Sequence, residues 1–315
     1  MQRLSRHKVA MKLLNYYPQW QTTAHLGTIV AEKILDLTKA FPADSRFSSV
    51  SALLRAGRDS MLRAQRHVNE DASWIKTGPM IDEIRYGPPV DERCRIFCVG
   101  LNYADHAAEN KLPPPESPIF FSKLASVAIG NKEQIPLPVI SQQVDYEAEF
   151  AFVIGSRTKR VSVEDAWRHI AGFTIMNDVS ARDLQFQDKQ WFRGKNCDGF
   201  APLGPWLVTT DEVSNPDNLA ITLRLNGEVR QSSNTGQLFF KPAQLLSFLS
   251  QTLTLEAGDV ISTGTPGGIG YYADPKVFLK DGDVVEVEVD GLGVLRNTVI
   301  QETDLEPFSS EDSSR

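Results

Sequence analysis

"DYEAEFAFVIG", Asp145 to Gly155, alternates acidic and apolar side chains over its first five positions and then becomes almost wholly apolar. In a strand, residues two apart share a face. That groups Glu147 and Glu149 with Ala151 and Val153 and sets Tyr146, Phe150 and Phe152 on the other side. Both faces become apolar within a few residues, so the segment reads as a strand running into a core. Two adjacent carboxylates at the rim of a covered face repel each other and are costly to bury uncompensated. Either this strand end is solvated, or a bound cation removes the conflict.

Working outward, "RIFCVGL", "SPIFFSK", "IAGFTIMND", "PWLVT", "AITLRLNG", "DVISTG" and "DVVEVEVDGLGVLRNTVI" are further short β-rich runs. "LNGEV" and "VDGLGVL" carry the Asn-Gly and Asp-Gly signals of tight hairpins. Helical segments are few: "NYADHAAEN", "SVEDAWRHI", "SARDLQF" and "PAQLLSFLSQ". Strands without regular β-α-β spacing point to a β-rich α+β architecture and away from a doubly wound sheet. Upstream, "HLGTIVAEKILDL" reads as a hairpin-like pair around Glu32 and Lys33, and "SSVSALLRAGRDSMLRAQRHV" as a helix pair. The expected organisation is a disordered leader over 1–10, a small N-terminal α+β domain over 11–90, a larger domain over 91–302 and a disordered polar tail over 303–315.

The chain has 315 residues, 41% hydrophobic and 23% charged, enough for a sizeable core. A net charge of -7 argues against nucleic-acid binding, which calls for a clustered basic surface, and favours a small-molecule partner. No apolar run reaches the roughly 18 residues of a membrane-spanning helix. Three cysteines, Cys94, Cys98 and Cys197, without a CxxC pair suggest a reducing, cytoplasmic setting. The start is basic, with no acid before Glu32, which leaves a mitochondrial location as the alternative.

Several constellations have the chemistry of a site. Asp178 ends an apolar strand, where it either caps the next helix with Ser180 nearby or joins Glu147 and Glu149 in an all-oxygen ligand set. Such a set suits Mg²⁺, Mn²⁺ or Ca²⁺ rather than zinc. His106 and Glu109, three apart, share a helical face. They form either a surface ion pair or a general base steadied by a carboxylate. Lys195, in a Gly-flanked loop, is either solvated or placed to stabilise an oxyanion. "DVISTGTPGGIGYY" runs into a Gly-rich loop whose amides can receive an anion.

Taken in order, "GLNYADHAAEN", "PIFFSKLASVAIG", "VDYEAEFAFVIG", "AGFTIMNDVSARDLQF", "WFRGKNCDGFAPLGPWLVT", "LNGEVRQSSNT" and "GDVISTGTPGGIG" resemble the fumarylacetoacetate hydrolase family over roughly residues 93–300. The resemblance implies a mixed β-sandwich or β-roll core, a homodimer and one Mg²⁺ or Mn²⁺ per site. It assigns Glu147, Glu149 and Asp178 as metal ligands, His106 and Glu109 as the catalytic dyad, and Lys195 as a substrate-facing catalytic lysine. Gln185, Thr265 and Lys123 would line the substrate pocket, with loops 110–118 and 186–192 setting substrate choice. The activity it implies is cleavage of a C–C bond in a small 2-oxo or β-diketo acid by a metal-dependent hydrolase. Decarboxylation of oxaloacetate, keto-enol isomerisation of a related diacid, and a non-catalytic binding protein are the alternatives.

Overall fold

The structure is a computed structural model that describes residues 11–18, 21–70, 78–91, 93–109 and 111–302. The expected leader (1–10) and tail (303–315) lie outside the described residues. In chain order the first strands are β1 (Lys12–Tyr17), β2 (His25–Val30), β3 (Lys33–Asp36), β4 (Arg85–Gly87), β5 (Ile96–Gly100), β6 (Ile119–Lys123), β7 (Ala128–Ile129), β8 (Gln134–Leu137) and β9 (Val144–Asp145). They are followed by β10 (Ala148–Ile154), β11 (Ile170–Asn177), β12 (Ser180–Ala181), β13 (Ala201–Thr209), β14 (Ala220–Leu225), β15 (Glu228–Asn234), β16 (Val260–Ser262), β17 (Val284–Val289) and β18 (Gly293–Gln301).

All seven residues of β10 are buried, because the strand is covered on both faces. Phe150, Phe152 and Ile154 pack with Ile221, Leu223, Val285 and Val287 in one core. Ala151 and Val153 pack in a second core with Leu53, Leu54 and Ala64, which belong to the helices Val50–Arg55 and Arg58–Glu70. The two-residue alternation read in the sequence is thus the division between two cores.

The middle layer is an eleven-stranded open sheet in the order β3-β2-β1-β13-β11-β10-β16-β5-β6, with β4 added on β1 and β7 on β13. It is mixed: β10 and β11 are antiparallel, while β16 runs parallel to β5 and β13 to β7. A five-stranded sheet, β15-β14-β17-β18-β8, supplies the facing layer. The N-terminal strands are continuous with the large sheet, Lys12 and Leu13 of β1 pairing with Val208 and Leu207 of β13.

Local chemistry explains the hairpins. Asn226 and Gly227 join β14 to β15 with φ of 53° and 82°, the left-handed pair that a tight two-residue turn requires. Ala31 and Glu32 adopt the same signs between β2 and β3 without a glycine. The pairing of the flanking strands carries that local cost.

Phe150 stacks on Phe173 with ring centroids 5.2 Å apart between the sheets. Phe150→Ala is expected to cost about 3–5 kcal/mol through lost burial and the cavity left behind, read as a lowered urea midpoint. Val229→Ala, at a residue 52% exposed, should leave that midpoint nearly unchanged.

Candidate active site

The register of β10 against β11 pairs Ala148 with Asn177, and one step further Asp178 N donates to the Glu147 carbonyl at 2.9 Å. Residues directly opposite on antiparallel strands share a face, so Asp178 and Glu147 meet there. The Asn177 side chain accepts from Glu147 N at 3.0 Å and fixes that backbone. Glu149 reaches toward β16 and beyond, where its carboxylate accepts from the Ser262 hydroxyl and, at 3.1 Å, from Gly264 N. Gly264 has φ +95°, and a Cβ there would stand 2.8 Å from the Val99 carbonyl. Only glycine presents its amide to Glu149 in this way.

Carboxylate oxygens of Glu147, Glu149 and Asp178 lie within 4.8 Å of one another, and all three side chains are buried. Three cations answer them. Lys195 Nζ donates to Glu147 Oε2 at 2.9 Å and to Asp178 Oδ2 at 2.7 Å. Lys123 Nζ donates to Asp178 Oδ1 at 2.7 Å and to the Val179 carbonyl at 3.0 Å. Arg182 Nη2 lies 2.7 Å from Glu147 Oε1 and 2.8 Å from Asp145 Oδ2.

Charge state follows from these neighbours. Burial would raise the Glu147 carboxyl, but Lys195 and Arg182 outweigh it and hold the group at about 2. Burial, reinforced by Asp178 and Glu147, pushes Glu149 well above the ordinary carboxylate range. Burial would lower the Lys195 ammonium, yet Asp178 and Glu147 raise it. Burial also raises the Asp145 carboxyl, against the pull of Arg182.

A cavity opens onto this cluster. Its wall includes Glu147, Glu149, Lys195, His106, Gln185 and Thr265. Leu112, Phe186 and Trp191, from the two loops expected to set substrate choice, also line it. His106 Nδ1 lies 3.3 Å from Glu109 Oε2, and Glu109 in turn accepts from Gly268 N. The helix Ala104–Glu109 therefore grips the Gly-rich loop that carries Thr265. Lys123 is fully buried behind Asp178 and is not part of the cavity wall. Ser180 does not cap the next helix: its hydroxyl donates to the Asp178 carbonyl at 2.8 Å, and Asp178 itself is occupied by the two lysines.

Two buried residues were not singled out by the sequence. Arg182 lines the cavity and also holds Gln185 Oε1 at 3.2 Å. Asp145 takes the Arg182 guanidinium together with Gly270 N at 2.8 Å and Tyr271 N at 3.0 Å, which seats the tyrosine wall of the cavity. Arg182 stands three residues before Gln185, on the same helical face. That spacing was the available signal.

The three acids fit a hard divalent cation. Their donor set is oxygen only, and a cation binding oxygen at about 2.1–2.5 Å spans ligand oxygens up to about 4–5 Å apart. The donor chemistry alone does not select among Mg²⁺, Mn²⁺ and Ca²⁺.

Residues 95–300 match the fumarylacetoacetate (FAA) hydrolase C-terminal family. The mitochondrial oxaloacetate tautomerase FAHD2A of Bos taurus is 51% identical over 220 residues, 69% of this chain and 70% of that one. Among solved structures, the fumarylacetoacetate hydrolase of Exiguobacterium antarcticum superposes with a TM-score of 0.80 at 35% identity, covering 93% of this chain and 100% of that one. The 5-carboxymethyl-2-hydroxymuconate delta-isomerase of Mycobacterium smegmatis does so with 0.72 at 32% identity and the same coverage. The family match, the sequence identity and the superposition agree: this chain belongs to the fumarylacetoacetate hydrolase family of enzymes.

Proposed function

We propose that the protein is a divalent-metal-dependent tautomerase of small 2-oxo diacids, with oxaloacetate as its first test substrate. The observation that carries this reading is 51% identity over 220 residues to an oxaloacetate tautomerase; the isomerase among the structural relatives points the same way. The C–C hydrolase expected from the motifs takes second place. Hydrolysis asks the same residues to activate a water as well, whereas tautomerisation only moves a proton between carbon and oxygen.

Glu147, Glu149 and Asp178 would hold the cation, which when bound would supply electrophilic stabilisation to a 2-oxo oxygen. His106, steadied by Glu109, takes the proton from the carbon next to that carbonyl. Lys195 provides the proton or the positive charge at the oxygen. Arg182, Gln185 and Thr265 orient the substrate's oxygens. In the reverse direction the same groups return each proton, so the reaction needs no co-reactant. A homodimer and a mitochondrial rather than cytoplasmic location belong to the same proposal, checked by light scattering and by cell fractionation.

In stopped-flow assays with Mg²⁺ or Mn²⁺, the enzyme is expected to speed the decay of enol oxaloacetate absorbance, and EDTA to abolish the effect. His106→Ala should lower the rate about 10²–10⁴-fold while Mn²⁺ still binds. Glu147→Ala should lose both. No acceleration over buffer, or faster cleavage of acylpyruvates or fumarylpyruvate than tautomerisation, would overturn the reading and restore the hydrolase.

Glu149 keeps its proton above the ordinary carboxylate range, and a cation takes the ionised form. Metal uptake therefore expels a proton, and Mn²⁺ affinity should rise with pH until Glu149 is ionised without help. Calorimetry in buffers of different ionisation enthalpy reads that proton directly. An affinity that does not rise with pH above the ordinary carboxylate range contradicts this assignment.

A further inference from the structure

Lys195 occupies the position from which the acids are shared. Its ammonium holds one oxygen of Glu147 and one of Asp178 at hydrogen-bond distance, and both residues belong to the three-acid cluster. Lys123 is equally close to Asp178 but differs in its surroundings. Its other bond goes to the Val179 carbonyl, an acceptor outside the acid cluster, and its side chain is sealed from the cavity. Lys195 lines the cavity, and while it holds the two acids its Nζ also lies 5.0 Å from the centroid of the Phe121 ring, a cavity-wall side chain that favours a cation nearby.

The backbone under Lys195 is fixed. A Cβ on its neighbour Gly194 would stand 2.7 Å from Gln185 N and 2.8 Å from the Ala181 carbonyl, so the short helix Phe192–Lys195 is locked against Arg182–Gln187. Movement of the ammonium is therefore a matter of side-chain rotation.

We propose that Lys195 and a divalent cation are alternative partners of Glu147 and Asp178, so that loading the metal turns the Lys195 ammonium out of the acid cluster and into the substrate cavity. Lys123 stays on Asp178 in both states. The inference rests on the metal reading above and adds an order to it: metal first, then a lysine available to substrate. It also explains how a chain with three clustered acids folds before it meets a metal, with an internal cation in attendance.

Mn²⁺ affinity, read by electron paramagnetic resonance of the free ion, tests this without any turnover. Lys195→Met is expected to bind Mn²⁺ at least tenfold more tightly than wild type. Lys123→Met removes the same charge from the same carboxylate but clears no path from the cavity, and should gain less than threefold. In the wild-type chain, amidination followed by mass spectrometry should modify Lys195 several-fold faster with Mn²⁺ present, while Lys123 stays protected. Labelling of Lys195 that is unchanged or slowed by Mn²⁺ overturns the inference, as does a Lys195→Met affinity no tighter than that of Lys123→Met. If either variant fails to fold, wild-type labelling decides alone. Mn²⁺ binding that Glu147→Ala leaves intact removes the metal reading itself, and this inference with it.

Discussion

The interaction on which the rest depends is the pairing, inside the protein, of Asp145, Glu147 and Asp178 with Lys123, Arg182 and Lys195, with Glu149 beside them, all buried. Removing one partner of such a buried set is costly, on the order of 3–5 kcal/mol, because the other is left uncompensated. The partners come from different places. The acids stand at the ends of β9, β10 and β11, Lys123 at the end of β6, Arg182 and Lys195 on two short helices. None of these elements reaches a satisfied state until the others have arrived, so closing the charge balance and closing the fold are one event.

The cavity wall shows the same economy. Asp105 and Glu109, one helical turn apart, accept from Gly267 N and Gly268 N, while Glu109 also steadies His106. A single carboxylate thus sets the imidazole and the loop beside it. Asp145 does the equivalent on the other side, tying Arg182 to the backbone of Tyr271.

What the sequence disclosed follows from range. Alternation within β10, the Asn226-Gly227 turn and the helix over Pro242–Thr252 depend on neighbours a few residues away, and periodicity exposed each. The pairing of β10 with β11 is a matter of register, which periodicity does not carry. The residues alone left the meeting of Glu147 with Asp178 as one of two alternatives, and the family resemblance chose between them. Arg182 escaped notice because its acids, Asp145 and Glu147, lie in another strand region. Ser180 misled for a related reason: β12 pairs with β9, which keeps Ser180 extended rather than capping.

β1 completes the large sheet, and Met11 N is bonded to Thr209 Oγ1, 198 residues later, at 2.8 Å. At about 5–20 residues per second of synthesis, roughly 10–40 s separate the emergence of these two partners from the ribosome. The edge of β1 away from β2 is filled in two parts, β4 along Asn15–Tyr17 and β13 along Lys12 and Leu13, and Leu13 and Leu26 lie in the core that Leu203 and Leu207 of β13 help to close. The edge of β1 at Lys12 and Leu13 thus depends on a strand made much later, and until it is covered it is the kind of bare strand edge that invites pairing with another chain.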